Sequence, residues 1–202
     1  MLENDDVIIT GSESQKALSE LQKSVGNEIN LTMNDKGNVS YTCNTDGPLS
    51  ENAQQLVNAI DDHSVVARIG ATTNHNIPFT QIEFVIDAFL GSKIDPETNL
   101  PTGYNVMDPN VAATMSDHYE KPGQDVLHGV IEAYRAGVIT KETCVNGFSS
   151  AGSDPVYIQA HALPTPQQSG AIKGYKDSPK FFIYPTDKND AKLLYTKKRY
   201  KK

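Results

Sequence analysis

In the stretch Asp125-Val126-Leu127-His128-Gly129-Val130-Ile131-Glu132-Ala133-Tyr134-Arg135, an imidazole and a carboxylate stand four residues apart. On a helix that spacing puts both side chains on one face, one turn apart. His128 and Glu132 can then offer a nitrogen and an oxygen to the same metal ion. The zinc motif HExxH follows this logic, with two ligands on one turn and the intervening Glu as base. At about 100° per residue, Val126, Leu127, Val130, Ile131, Tyr134 and Val138 form an apolar arc, and Asp125, His128, Glu132 and Arg135 gather opposite it. A surface helix with plain ion pairing between Glu132 and Arg135 or His128 would show the same stripe. The residues alone leave both readings open.

The elements that must carry these groups are written in punctuation and periodicity. The chemistry-bearing helix is predicted over Gln124 to Ala136, introduced by Pro122-Gly123 and ended near Gly137. Ser12 to Val25 reads as a first helix, with a capping box from Ser12 and Gln15 and a stop at Gly26. Glu28 to Cys43 alternates as a hairpin around Asn34-Asp35-Lys36-Gly37, and Ser50 to Asp61 is a second amphipathic helix. Ser64 to Ile69 and Ile82 to Leu90 are predicted strands. Gly91 to Gly123 reads as one long connection rich in Pro, Asn, Asp and Gly, and Val156 to Ala160 as a short strand or helix. The expected fold class is α+β: one domain over residues 1–180, followed by a basic C-terminal extension over 181–202.

The helix segment, the helix-plus-hairpin near the start and the later Tyr157-Ile158-Gln159-Ala160-His161 resemble zincin-like metallopeptidase domains of bacterial toxins, secreted effectors and phage-encoded proteins. In that resemblance the motif reads HExxE followed by a distant His. It implies zinc as the cofactor, His128 and Glu132 as the helix ligands and His161 as the third. The chain departs from the pattern where the family carries the Glu that activates water, because Gly129 stands there. A glycine accepts no proton and weakens the helix by about 1 kcal/mol relative to Ala. Asp125 is a weak substitute, more naturally a carboxylate placed at a helix N-terminus. His118 is a marginal candidate for the same cleft, and His63 and His75 lie in predicted loops and are not expected to be ligands.

Composition bounds the function classes. Leu, Ile, Val and Phe make up 46 of 202 residues, enough for a modest core. No apolar run approaches the roughly 18 residues of a membrane helix, and the acidic start MLENDDVIIT does not read as a signal peptide. The expected locations are therefore a virion or the cytoplasm, with no membrane partner. Cys43 and Cys144 lack metal-ligand spacing and read as reduced, partly buried thiols. The net charge is −7, yet the last eleven residues hold Lys192, Lys197, Lys198, Arg199, Lys201 and Lys202 and no acid. The rest has 12 cations against 25 acids, or −13. A basic tail on an acidic body suits docking on a neighbouring copy in a homo-oligomer or larger assembly, with nucleic acid as another possible partner. The leading expectation is a structural or assembly protein on a degenerate metallopeptidase fold, for example a ring or connector of a phage virion. A working zinc peptidase of toxin or effector type is the alternative.

Overall fold

The computed structural model describes residues 6–76, 84–148, 154–162, 168–170, 172–177, 180–185 and 195–198, the last three segments by their backbone alone. In chain order these form β1 (Val7–Thr10), α1 (Ser14–Val25), β2 (Ile29–Met33), β3 (Val39–Cys43), α2 (Glu51–Asp61), β4 (Val66–Ala71), β5 (Asp87–Ile94), β6 (Pro101–Met107), α3 (Pro109–His118), α4 (Gln124–Thr143), α5 (Pro155–Ala162), β7 (Ile172–Asp177), β8 (Lys180–Pro185) and β9 (Tyr195–Lys198). The fold is α+β, as the sequence predicts.

The central sheet has the order β1-β4-β6-β5. Its first three strands are parallel, and β5 closes the edge antiparallel to β6. β2 and β3 form the expected hairpin, with Ile29 opposite Cys43 and Met33 opposite Val39. Helix α4 lies across β4, β5 and β6, and α1, α2 and α3 pack around it. The main core joins Val7, Ile9, Leu21, Leu56, Ile69 and Met107 to Val126, Leu127, Val130 and Ile131 of α4.

Close contact between α4 and the sheet depends on small residues. A Cβ on Gly103 of β6 would sit 1.9 Å from the Ala133 carbonyl oxygen, and one on Gly137 would sit 2.4 Å from Val65 Cγ1. Gly137 is thus an approach point and not the expected helix stop. The helix runs on to Thr143, where Cys144 adopts φ 57°. At the other end Gly123 is required twice over, by φ 72° and by the Glu20 carbonyl oxygen 1.9 Å from where its Cβ would stand.

Other boundaries also differ. α1 begins at Ser14 with Glu13 in the N-cap position and no side-chain cap, so the Ser12–Gln15 capping box does not form. α2 does use Ser50, whose side chain accepts from the Ala53 amide. The stretch read as one long connection contains the end of β5, all of β6 and all of α3. β6 escapes the period-2 test because its helix-facing positions are Gly103 and Asn105. α3 is announced by Asp108-Pro109, the aspartate capping the Asn110 and Val111 amides and the proline taking the first turn. Cys43 and Cys144 are both exposed, not partly buried.

The expected boundary at residue 180 falls inside a three-stranded antiparallel sheet, β7-β8-β9. Lys197 and Lys198 belong to β9, opposite Phe181 and Lys180 of β8, so this part of the basic tail is a strand. Lys192, Arg199, Lys201 and Lys202 lie outside the described residues.

Candidate metal centre

α4 is buried on both sides over its first half. The apolar arc is core at Val126, Leu127, Val130 and Ile131, while Tyr134 is half-buried. The polar stripe is buried as well: Asp125 is 3% exposed, His128 1% and Glu132 2%. Only Arg135 of that set keeps substantial contact with solvent. The solvated-face reading of the stripe is therefore wrong. Fully buried ionisable groups need partners or an ion to offset the loss of water.

The stripe turns toward α5, and there His128, Glu132 and His161 come together. One ligand atom from each lies within 4.8 Å of the others, a group that can hold a metal ion. His161 Nδ1 is 2.8 Å from Glu132 Oε1. The imidazoles of His128 and His161 meet edge-on, with centroids 4.9 Å apart. Tyr157, one turn before His161, stacks on it at 5.2 Å and on Phe89 of β5 at 5.8 Å. These groups open on a polar cleft of about 240 Å³, lined in addition by Asp87, Ala88 and Gln168. The Glu132 hydrogen bond raises His161 above its ordinary pKa despite the opposing effect of burial.

Two residues of the site escaped the sequence reading. Asn105 of β6 is 2% exposed and donates from Nδ2 to Glu132 Oε2 at 3.0 Å, fixing the carboxylate. Asp87, at the start of β5, faces the same cleft and shares a hydrogen bond with Asn105. Burial first, then the charges of Glu132 and Asp125, push the Asp87 carboxyl up to about 7. Burial first, then the charges of Glu132 and Asp87, raise the Tyr157 hydroxyl above its ordinary pKa. A signal for Asp87 was present: it is the one charged residue in Val85-Ile86-Asp87-Ala88-Phe89-Leu90. Asn105 carries no such mark.

Gly129 sits at the inner wall of this cleft. A Cβ there would meet Met107 Cε at 2.7 Å, Asn105 Nδ2 at 3.4 Å and Asp87 Oδ2 at 3.5 Å. A side chain there would press on the flexible end of Met107, while Asn105 and Asp87 stand at ordinary contact distance. Asp125 does not replace the missing helix-borne base. Its oxygens accept from Ser116 Oγ at 2.7 Å, from the Ser169 amide at 3.0 Å and from Ser169 Oγ at 2.5 Å, and it does not line the cleft. It ties the 168–170 segment to the helix N-terminus instead.

The other histidines stand elsewhere. His118 packs edge-on against Tyr119 at the end of α3. His63 pairs with Asp6. His75 is buried against Asp108 Oδ2 at 2.6 Å and stacks on Phe84. None of the three joins the group formed by His128, Glu132 and His161.

Comparison with protein-family models, curated proteins and solved structures finds no match to this chain.

Proposed function

We propose that this chain is a structural or assembly protein on a metallopeptidase-like scaffold that keeps a divalent-metal site at His128, Glu132 and His161. The observation that carries the reading is the convergence of these three ligands on α4 and α5, with Gly129 standing where a helix-borne base would be. Two imidazole nitrogens beside a single carboxylate suit zinc, whereas calcium and magnesium take oxygen ligands. When bound, the ion would offset buried carboxylate charge and join α4 to α5. His128 and Glu132 would present their ligand atoms from the rigid core helix, Asn105 would hold the Glu132 carboxylate in place, and Tyr157 would brace the His161 ring.

In the assembly part of the proposal, the acidic body of one copy receives the basic C-terminal stretch of another, including Lys197, Lys198, Arg199, Lys201 and Lys202. That contact is of the kind that builds rings and connectors in a virion. Among the described residues no helix is long and apolar enough to cross a membrane. The competing reading, a zinc peptidase, is favoured by one feature: His161 keeps 38% of its side chain exposed, so the site has an opening to solvent.

Metal content after purification, paired with a general peptidase assay, separates the two. The proposal expects one zinc per chain, a Tm that falls on chelation, and no peptide hydrolysis. Zinc at 100 times its Kd contributes about 2.7 kcal/mol, which in a chain of this size moves Tm by about 5–10 °C. Robust hydrolysis abolished by His128→Ala would make the protein a peptidase.

A further inference from the structure

We propose that the cavity on the face of the central sheet turned away from α4 binds a small organic anion whose charged group pairs with Arg68; this goes beyond the metal-binding and assembly readings and depends on neither. The first argument is placement. Along β6, Gly103, Asn105 and Met107 meet α4, so Tyr104 and Val106 belong to the opposite face. The parallel register puts Arg68 of β4 beside Tyr104, and Gly70 beside Val106. These four partly buried residues line a cavity of about 380 Å³. Thr72, Asn74 and Asn76, just past the carboxyl end of β4, line it as well. That end of a parallel strand is where open α/β sheets hold their ligands.

The second argument is an unmet donor. Arg68 Nε is buried and has no hydrogen-bond partner among the described residues, and a buried polar atom in that position calls for one. Asp95 does not serve. Its carboxyl is held below the ordinary value by the Glu97 amide first and by the Arg68 charge last, against the effect of burial. Its oxygens accept from the Glu97 amide at 2.8 Å and from the Tyr104 hydroxyl at 3.0 Å, and it does not line the cavity.

The third argument is the character of the walls. The described lining holds one cation, Arg68, and no acid, in a chain whose residues 1–191 carry 12 cations against 25 acids. Lys93 lies 5.6 Å from the centroid of the Tyr104 ring and brings a second cation to that wall. Phe84, Leu90 and Val106 supply apolar surface. A guanidinium fork pairs with a carboxylate or phosphate through two parallel hydrogen bonds. Set among apolar and aromatic side chains, it suits such a group carried on a flat apolar body, and the volume lies within the range of small-molecule pockets.

The test uses the isotope-labelled full chain with a chelator present, titrated by NMR with phenyl phosphate and, separately, with benzoate. At least one should shift the Arg68 Nε–H signal saturably, and the tighter of the two identifies the anionic group. Benzyl alcohol, with the same ring and no charge, should leave that signal in place. Followed through the backbone amides of β4 and β6, Arg68→Gln should bind the tighter probe about 10–100-fold more weakly, the loss expected for a hydrogen-bonded charge. Gly70→Leu keeps Arg68 and should weaken binding by filling the cavity, since a Cβ there meets nothing closer than Val106 Cγ2 at 3.6 Å. Lys121→Gln, an exposed cation outside the cavity, should bind as wild type does. Saturation by neither anion, an equal response to benzyl alcohol, or undiminished binding in either cavity variant would overturn the inference.

Discussion

Replacing Gly103 by Ala should damage both fold and site, because the obstacle it meets is backbone. The new Cβ would lie 1.9 Å from the Ala133 carbonyl oxygen and 2.7 Å from the Ala133 carbonyl carbon. Relief requires α4 to retreat from β6 by roughly 1 Å or more, since a dense core does not absorb such overlap locally. Overpacking costs about 1–3 kcal/mol where side chains can give way, so a rigid helix backbone puts this case at the upper end. The retreat also stretches the 3.0 Å bond from Asn105, two residues along β6, to Glu132, next to Ala133. A hydrogen bond to a charged group contributes about 1.5–3 kcal/mol. Ala gains up to about 1 kcal/mol over Gly from backbone entropy. The net expectation is a loss of about 3.5–5 kcal/mol in urea unfolding, together with weakened zinc binding. Gly70→Ala is the control: its Cβ would meet Val106 Cγ2 at an ordinary 3.6 Å, and it should be close to neutral. Equal stability of the two variants would refute the close packing of α4 on β6.

Leu127 is fully buried on the core side of α4, so Leu127→Ala should cost about 2–5 kcal/mol in urea unfolding; a loss below about 1 kcal/mol would mean that the helix face is misplaced. Burial works to raise the Glu20 carboxyl, but hydrogen bonds and charge from Lys16 and Lys23 outweigh it and hold it below its ordinary value of 4.5. A depressed acid stabilises fully above its unfolded value and loses that contribution as pH falls through the folded one. Glu20→Gln should accordingly lower Tm at neutral pH and flatten its decline below about pH 4.5, whereas a uniform drop at every pH would count against the charged interaction. Gly129→Glu, which drives a side chain into Met107 and an acid toward Asp87 and Glu132, should lose about 1–3 kcal/mol. It should gain no peptidase activity with zinc present; measurable turnover would mean that the cleft still positions water and peptide.

The parts of the molecule legible in sequence are those governed by local rules. The β2–β3 hairpin, α2 with its Ser50 cap and the apolar arc of α4 follow from alternation, capping and 3.6-residue periodicity. β6 did not, because its inward positions answer to α4: Gly103 is small so that the helix can approach, and Asn105 is polar to hold Glu132. The same contact explains why Gly137 fails to stop α4. At the site, the His128–Glu132 spacing was visible on one element. The burial of that stripe and the arrival of Asp87 and Asn105 depend on which strands lie beneath the helix, a long-range fact that local pattern does not contain. His161 entered through resemblance alone, and its place beside Glu132 comes from the packing of α5 on α4.

The most direct test of the account is a crystal structure of the zinc-loaded chain with anomalous data collected at the zinc edge. The account predicts one anomalous peak per chain in the cleft between α4 and α5. His128 and His161 nitrogens should lie about 2.0–2.1 Å from the ion, and a Glu132 oxygen about 2.0–2.2 Å from it. An ion bound elsewhere with this cleft empty, or no ion at all under saturating zinc, would contradict it.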